Sequence, residues 1–271
     1  MTRLRALIFD VDGTLAETER DGHRIAFNRA FEDAGIGWHW SAAHYGALLA
    51  VTGGKERIAH HWNAVDPKTA AAPEAAHRIR ALHEAKTAHY LALVRSGAVV
   101  LRPGVRRLLI EARARGLRLA IATTTTEANV RELLCATLGD HATDWFEVIG
   151  AGDAVPHKKP APDIYRWVLE RLRLPATDAL AVEDSAPGVA AARAAGLRTL
   201  LTRSAYSAGE RIPSALADLD GLGSHPRPAQ GLAPGADGLR PWHGIVDVNM
   251  LHAWHVAPAF VQQPASAVRI D

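Results

Sequence analysis

The stretch Ala6-Leu7-Ile8-Phe9-Asp10-Val11-Asp12-Gly13-Thr14 decides the fold. Its apolar run from Leu7 to Phe9 predicts a buried strand, and that strand ends at a carboxylate. In a parallel sheet, ligands bind beyond the carboxyl ends of the strands. This strand therefore brings Asp10 to the edge of the sheet where chemistry is usually done.

A second carboxylate, Asp12, follows after one residue, and Gly13 lets the backbone bend sharply. Two carboxylates this close are costly unless a cation lies nearby or one of them is protonated. Both conditions suit phosphoryl transfer, in which one carboxylate attacks beside Mg²⁺ and the other moves a proton. A plain Asp-Gly turn is the alternative that these residues alone leave open.

Polar side chains also follow later apolar segments. Thr123 ends one predicted strand, Lys159 precedes a helix, and Glu183-Asp184 end another strand. Loops at the carboxyl ends of parallel strands lie side by side, so we expect these groups to converge on Asp10. A hydroxyl, an ammonium and hard oxygen ligands suit phosphate and Mg²⁺. Taken singly, each residue has an alternative explanation: a helix cap for Thr123, a solvated surface position for Lys159, and a turn or cap for Glu183-Asp184. Lys158 is a rival to Lys159.

The order of the elements predicts an α/β fold, with a doubly wound parallel sheet and an inserted helical cap domain. Residues 17–97 have an almost wholly helical pattern with no convincing strand, whereas strands and helices alternate from residue 98 onward. We therefore expect a core of residues 1–16 and 98–222 and a cap of residues 17–97. The prolines and glycines of residues 223–271 predict a loop-rich C-terminal extension of unknown role, parts of which could dock on the core.

Composition favours an ordinary globular protein. The 271 residues are 48% hydrophobic and 22% charged, and the formal net charge is +2, too small to indicate a nucleic-acid partner. No apolar stretch reaches the roughly 18 residues of a membrane span, and no signal peptide is recognisable. The single cysteine, Cys135, excludes an intramolecular disulfide. We expect a cytoplasmic monomer, with a solvated basic face formed by Arg102, Arg106, Arg107, Arg113, Arg115 and Arg118.

Over about residues 3 to 220, these motifs resemble the haloacid dehalogenase-like hydrolase superfamily. The resemblance implies a Rossmann-like core and an aspartyl-phosphate intermediate. Asp10 would be the nucleophile and a metal ligand, and Asp12 would be the general acid and base with its backbone carbonyl on Mg²⁺. Asp184 would complete the metal shell with support from Glu183. The transferring phosphoryl group would be held by Thr123 and Lys159.

The loop Thr52-Gly53-Gly54-Lys55-Glu56-Arg57-Ile58 is the most informative part of the cap. Two glycines at a helix start expose backbone N–H groups and Lys55 adds charge, which predicts an anion site. An interhelical turn with Lys55 and Arg57 on the surface is the alternative.

This loop and four shorter segments are similar to the CbbY family, whose members resemble phosphatases that remove the 1-phosphate of xylulose-1,5-bisphosphate, an inhibitor of rubisco in the Calvin cycle. The four segments are residues 16–19, 85–87, 122–126 and 158–160. A doubly anionic sugar would place one phosphate at Asp10 and Mg²⁺ and the other under the cap. The substrate-binding residues implied are Glu19, His23, Thr52, Gly53, Gly54, Lys55, His83, Lys86, Thr124 and Thr125.

Two other functions remain open at this point. A sugar-phosphate mutase similar to β-phosphoglucomutase would have the same class of cap, although Thr14 favours hydrolysis because that mutase has Val at the last motif position. A non-catalytic binding protein on the same fold is disfavoured, because the acidic, hydroxyl and lysine positions are all present.

Overall fold

A computed structural model of the chain describes residues 3–152 and 154–257. These residues form one mixed sheet with helices packed on both of its faces, which confirms the predicted α/β class. The strands are β1 (Ala6–Phe9), β2 (Arg118–Ala122), β3 (Phe146–Gly150), β4 (Ala179–Glu183), β5 (Arg198–Thr202), β6 (Ala217–Leu219), β7 (Ala229–Gly235) and β8 (Gly238–Gly244).

The helices fall into a group inserted after β1 and a group that alternates with strands. The inserted group is α1 (Arg24–Asp33), α2 (Ala42–Leu48), α3 (Gly54–Val65), α4 (Pro67–Ala70) and α5 (Ala75–Arg95), preceded by a π-helical turn at Glu19–His23. The later helices are α6 (Val105–Ala114), α7 (Glu127–Leu138), α8 (Asp163–Leu172), α9 (Ala186–Ala194) and α10 (Val248–Val256). Short 3₁₀ turns occur at Ala142–Trp145 and Ala176–Asp178.

The sheet has the strand order β3-β2-β1-β4-β5-β6-β7-β8, so β1 lies between β2 and β4. The pairs from β3 to β6 are parallel. Successive side chains of a strand point to opposite faces. In β1, Leu7 and Phe9 accordingly pack with α6 and α7, whereas Ala6 and Ile8 pack with α8 and α9. All four are at most 1% exposed, so the apolar run identified in the sequence is the centre of the core.

The inserted helices have an apolar core of their own, which is largely aromatic. Its buried members are Phe27, Phe31, Trp40, Tyr45, Leu48, Ile58 and Leu82. The two segments that join this insertion to the sheet run antiparallel, with a bridge between Ala16 and Leu101. The division at residues 17 and 97 remains our proposal for the domain boundaries.

The structure corrects the loop prediction for the C-terminal extension. Strands β7 and β8 form an antiparallel hairpin that extends the sheet beyond β6. Pro241 is tolerated there because β8 is an edge strand, where a missing N–H costs least. Gly231 reflects close packing, since a Cβ at this position would overlap the carbonyl oxygen of Asp218. Helix α10 docks through Leu251 and Trp254, as the sequence suggested.

Residues 258–271, also part of the predicted extension, lie outside the described residues. Among residues 3–152 and 154–257, the structure contains no helix with the length and apolarity that a bilayer crossing requires.

Candidate active site

The first functional element is the tight loop that follows β1. Asp10 continues the sheet pairing, since its N–H donates to the Val182 carbonyl at 3.0 Å. The chain then turns back on itself, with Gly13 donating to the Ala16 carbonyl at 2.8 Å. Gly13 has a φ of +87° and lies so close to Asp184 that a Cβ would overlap its carboxylate. The loop therefore needs glycine for both its conformation and its proximity to Asp184.

Three carboxyl groups meet beside this loop. Asp10, Glu183 and Asp184 each present an oxygen within 4.8 Å of the others, and all three residues are buried. The Lys159 ammonium donates to Asp10 Oδ1 at 2.7 Å and to Glu183 Oε1 at 2.6 Å. Tyr165 donates its hydroxyl to the same Glu183 oxygen at 2.5 Å. These residues come from the ends of β1 and β4, from the loop before α8 and from α8 itself, so the predicted convergence is observed.

Crowding of these acids has a clear electrostatic consequence. Burial is the main cause that raises the pKa of Asp10 to about 8, and repulsion from Glu183 and Asp12 adds to it. The attraction of Lys159 opposes this rise. Burial and the charges of Asp10 and Glu183 raise the pKa of Asp184 well above its usual range. Burial disfavours the charged ammonium, but attraction to Asp10 and Glu183 raises the pKa of Lys159. The site therefore holds more acidic groups than its own lysine neutralises.

A hard divalent cation fits this arrangement. The donors are carboxylate oxygens, which Mg²⁺ prefers. Within the described residues, Glu183 Oε2 is buried and has no hydrogen-bond partner, so one oxygen of the cluster lacks a donor or cation beside it. The absence of a side chain at Gly13 also leaves the backbone between Asp12 and Gly13 next to Asp184. The acidic triad can therefore bind a metal ion.

Asp12 lies in a different environment from Asp10. Its Oδ1 accepts a hydrogen bond from Thr18 Oγ1 at 2.5 Å and lies 2.9 Å from His23 Nε2. His23 Nδ1 is in turn 2.9 Å from the Lys86 ammonium. Because an ammonium can only donate, Nδ1 accepts and the Nε2–H donates to Asp12. The predicted substrate residues His23 and Lys86 thus connect the inserted helices to Asp12.

The opposite pKa shifts of Asp10 and Asp12 follow from these contacts. Burial raises the pKa of Asp12, but the interactions of its carboxylate with His23, Thr18 and Lys86 lower it to about 2. Burial lowers the pKa of Lys86 to about 8, although Asp12 and Glu19 oppose the change. Two carboxylates in one loop are therefore tuned in opposite directions, which is a common way for proteins to separate catalytic roles.

The remaining predicted catalytic residue, Thr123, lies at the end of β2. It is 1% exposed, and its N–H donates to the Gly150 carbonyl at 2.9 Å. Thr123 Oγ1 accepts a hydrogen bond from the Thr125 N–H at 3.3 Å. Thr123, Asp10 and Lys159 line the same cavity, so the structure brings these three residues to one space.

The cleft between the sheet and the inserted helices has two lobes. The larger is a cavity of about 490 Å³ that contains Asp10, Asp184, Thr123 and Lys159. The smaller, of about 50 Å³, lies under the start of α3. Every predicted substrate residue except Thr52 lines the smaller lobe, and Thr52 lines the larger one. Asp12 borders both lobes, so a molecule bound in the two would pass this residue.

The structure also distinguishes the two neighbouring lysines and reveals residues that the sequence analysis missed. Lys159 contacts Asp10, whereas Lys158 pairs with Glu56 of α3 at 2.8 Å. Arg57, which was a candidate surface residue, is 6% exposed and donates to the Tyr45 hydroxyl at 2.8 Å. That hydroxyl donates to Glu19 between the two lobes. Arg57 directly precedes the buried residue Ile58 on α3. This position in the helical repeat is the feature of the sequence that could have predicted the burial of Arg57.

Comparison with known proteins agrees with this geometry. The family profile described as haloacid dehalogenase-like hydrolase matches residues 4–196. The chain therefore belongs to the haloacid dehalogenase-like hydrolases.

Individual proteins that are similar to this chain define its family more narrowly. Protein CbbY, plasmid, of Cupriavidus necator is 48% identical over 255 residues, covering 93% of this chain and 97% of the relative. Protein CbbY of Rhodobacter capsulatus is 53% identical over 212 residues, covering 78% and 91%. The crystal structure of a Rhodobacter sphaeroides CbbY mutant in complex with xylulose-(1,5)bisphosphate has a TM-score of 0.74 and 44% identity, covering 81% of this chain and 96% of that one. The chain is a member of the CbbY family and a phosphatase.

Replacing Gly13 by alanine tests the close approach of the loop to Asp184. We expect Gly13→Ala to lower kcat by about 10²-fold, because the new Cβ must displace the Asp184 carboxylate. Gly35→Ala is the matched control: Gly35 also has positive φ, +66°, but nothing lies near its missing Cβ. Each variant carries backbone strain of about 1–3 kcal/mol. Steady-state phosphate release should fall only in Gly13→Ala, and equal activity in the two variants would contradict the geometry.

Proposed function

We propose that this chain is a Mg²⁺-dependent phosphatase that removes the 1-phosphate of xylulose-1,5-bisphosphate and so clears an inhibitor of rubisco. The observation that carries the proposal is the two-lobed cleft. One lobe contains a carboxylate, an ammonium and a hydroxyl suited to phosphoryl transfer, and the other contains backbone N–H groups and cations. A sugar with a phosphate at each end matches both lobes. The bisphosphate bound to the Rhodobacter sphaeroides relative supports this choice.

Transfer of the phosphoryl group is proposed to begin at Asp10. Its carboxylate oxygen attacks phosphorus, the bond to the sugar oxygen breaks, and Asp12 gives that oxygen a proton. Water then attacks the phosphorus of the aspartyl phosphate, Asp12 takes the proton, and inorganic phosphate leaves with Asp10 regenerated. Lys159 and Thr123 hold the phosphoryl oxygens in both steps.

Asp10, Asp184 and the backbone carbonyl of Asp12, with Glu183 in support, would hold Mg²⁺, which when bound supplies charge neutralisation at the transferring group. Glu183 also orients Lys159, because its Oε1 accepts hydrogen bonds from that ammonium and from Tyr165. These contacts hold the lysine against the nucleophile before the substrate arrives.

Asp12 is proposed to give a proton in the first step and to accept one in the second, and its hydrogen bonds affect these steps differently. With Thr18 and His23 hydrogen-bonded to it, its pKa of about 2 makes it a carboxylate, the form that accepts a proton from the attacking water. Giving a proton to the leaving sugar oxygen requires the protonated acid. The Thr18 and His23 contacts favour the carboxylate over this acid, so contacts with the inserted helices influence both proton transfers proposed for Asp12.

The smaller lobe is proposed to bind the phosphate that is not transferred. The first turn of α3 offers N–H groups at Gly54 and Lys55, at the favourable end of the helix dipole. Burial, and then the charge of Lys86, lowers the pKa of His83 to about 4. His83 is therefore a neutral hydrogen-bonding group, and positive charge comes from Lys55 and Lys86. Glu19, which lines both lobes, is proposed to bind sugar hydroxyls.

A substrate panel with a nucleophile variant tests the proposed reaction. We expect phosphate release from xylulose-1,5-bisphosphate, none from ribulose-1,5-bisphosphate, and loss of at least about 10³-fold in Asp10→Asn, because the attacking carboxylate is gone. Asp33→Asn is the control, since Asp33 is an exposed carboxylate paired only with His89 among the described contacts. Turnover by Asp10→Asn would contradict the nucleophile. Conversion of glucose 1-phosphate to glucose 6-phosphate without phosphate release would favour a mutase.

A second variant tests the anion site of the smaller lobe. We expect Lys55→Ala to raise KM for the bisphosphate by about tenfold or more, because one charged contact to phosphate is worth roughly 1.5–3 kcal/mol. KM for p-nitrophenyl phosphate, which has only one phosphate, should change by less than about twofold. Lys68→Ala, at an exposed lysine of α4, controls for loss of positive charge on the inserted helices. Equal losses on both substrates would remove the role proposed for Lys55.

A further inference from the structure

Arg102 is a buried arginine on the second segment that joins the inserted helices to the sheet. The sequence pattern predicted it on a solvated basic face, but it is only 9% exposed. Its backbone N–H donates to the Leu15 carbonyl at 2.8 Å, which pairs it with the first joining segment. The prediction was wrong here because Arg102 precedes α6 and does not share the exposed face of that helix.

The Arg102 guanidinium contacts segments that are far apart in the sequence. Nη1 donates to the carbonyls of Gly13 and, at 2.8 Å, Thr202. Nη2 donates to the carbonyls of Arg203 and, at 3.0 Å, Asp220. Thus one side chain joins the catalytic loop after β1 to the loops after β5 and β6.

The remaining guanidinium nitrogen faces the base of the insertion. Arg102 Nε is 3.3 Å from Glu17 Oε1, and Glu17 Oε2 accepts a hydrogen bond from the Ala205 N–H at 3.4 Å. Glu17 follows Ala16, which bridges to Leu101 of the second joining segment. Both joining segments are therefore tied to the loop after β5.

The contact with Gly13 has consequences for the reaction. The Gly13 carbonyl is one residue beyond Asp12, and the Cα of Gly13 lies against the Asp184 carboxylate. A shift of this peptide therefore moves the Asp12 backbone relative to Asp184. Arg102 does not line the cavity that contains Asp10, so it acts on the reacting groups through the loop rather than by touching substrate.

We propose that Arg102 is a positioning residue for phosphoryl transfer, which holds the Asp12–Gly13 backbone in register with Asp184 and anchors both joining segments of the inserted helices. The proposal rests on the catalytic roles proposed for the loop after β1. A planar guanidinium with N–H groups pointing in several directions serves this purpose, whereas a lysine ammonium cannot reach all of these carbonyls at once.

The chain provides a matched control in Arg107, on α6. Arg107 Nη2 donates to the carbonyls of Leu222, Gly223 and Val246, so it also ties carbonyls of distant segments together. None of these carbonyls belongs to the loop after β1. Arg102→Lys and Arg107→Lys therefore make the same chemical change, and only the first removes contacts to the catalytic loop.

The experiment compares these variants by kinetics and by hydrogen exchange. With p-nitrophenyl phosphate, Arg102→Lys should lower kcat by about tenfold or more and leave KM within about twofold, because the loss is in alignment and not in binding. Amide exchange in the peptide covering residues 10–18 should become faster. Arg107→Lys should change neither kcat nor exchange in that peptide, even if both variants melt at lower temperature.

Unchanged kcat in folded Arg102→Lys, or an equal loss in Arg107→Lys, would overturn the proposal. If Arg102→Lys does not fold, Glu17→Gln replaces it, and it should show a smaller kcat loss with faster exchange over the same residues. No change in either readout would overturn the proposal in that case. Failure of the xylulose-1,5-bisphosphate assignment is distinguishable, because it leaves both the aryl phosphate assay and the exchange measurement intact.

Discussion

The Lys159 ammonium lies between the carboxyl groups of Asp10 and Glu183, and all three groups are buried. Burial of a charge without a partner costs several kcal/mol, so removing one member of such a set is strongly destabilising. Asp184 adds another buried acid to the same cluster. The ends of β1 and β4 and the loop before α8 must therefore keep their relative positions, because their side chains form these buried ion pairs. This constraint links the order of the strands to the composition of the site.

The loop after β1 also contains Asp12, whose surroundings lower its pKa. Asp12 turns away from the acidic cluster and toward His23, which Lys86 contacts from the other side. Since His23 and Lys86 come from the inserted helices, contacts with those helices contribute to the low pKa of Asp12. The inserted helices thus contribute to the electrostatics of the site, and we propose that they also bind the second phosphate.

Much of the site could be predicted from the sequence because its residues follow strands whose side chains are almost all buried. Asp10, Thr123 and Asp184 were found because an apolar run ending in a polar residue locates the edge of a parallel sheet. Arg102 and Arg57 were missed because a buried arginine has the same sequence appearance as a surface one until its partners are known. The partners of Arg102 are mostly backbone carbonyls, which every residue type has, so the sequence does not show which residues it contacts. The hairpin β7–β8 was missed because its prolines and glycines are tolerated at the edge of a sheet and otherwise indicate loops.

A divalent cation is proposed to complete the acidic cluster of Asp10, Glu183 and Asp184, and thermal unfolding in the presence of MgCl₂ tests this directly. At constant ionic strength, the wild-type chain should gain stability as MgCl₂ rises, by about 2.7 kcal/mol at a concentration of 100 times Kd. Asp184→Asn should lose most of this gain, whereas Asp144→Asn, at an exposed carboxylate remote from the cluster, should keep it. Equal stabilisation of all three proteins, or none in the wild type, would contradict the account.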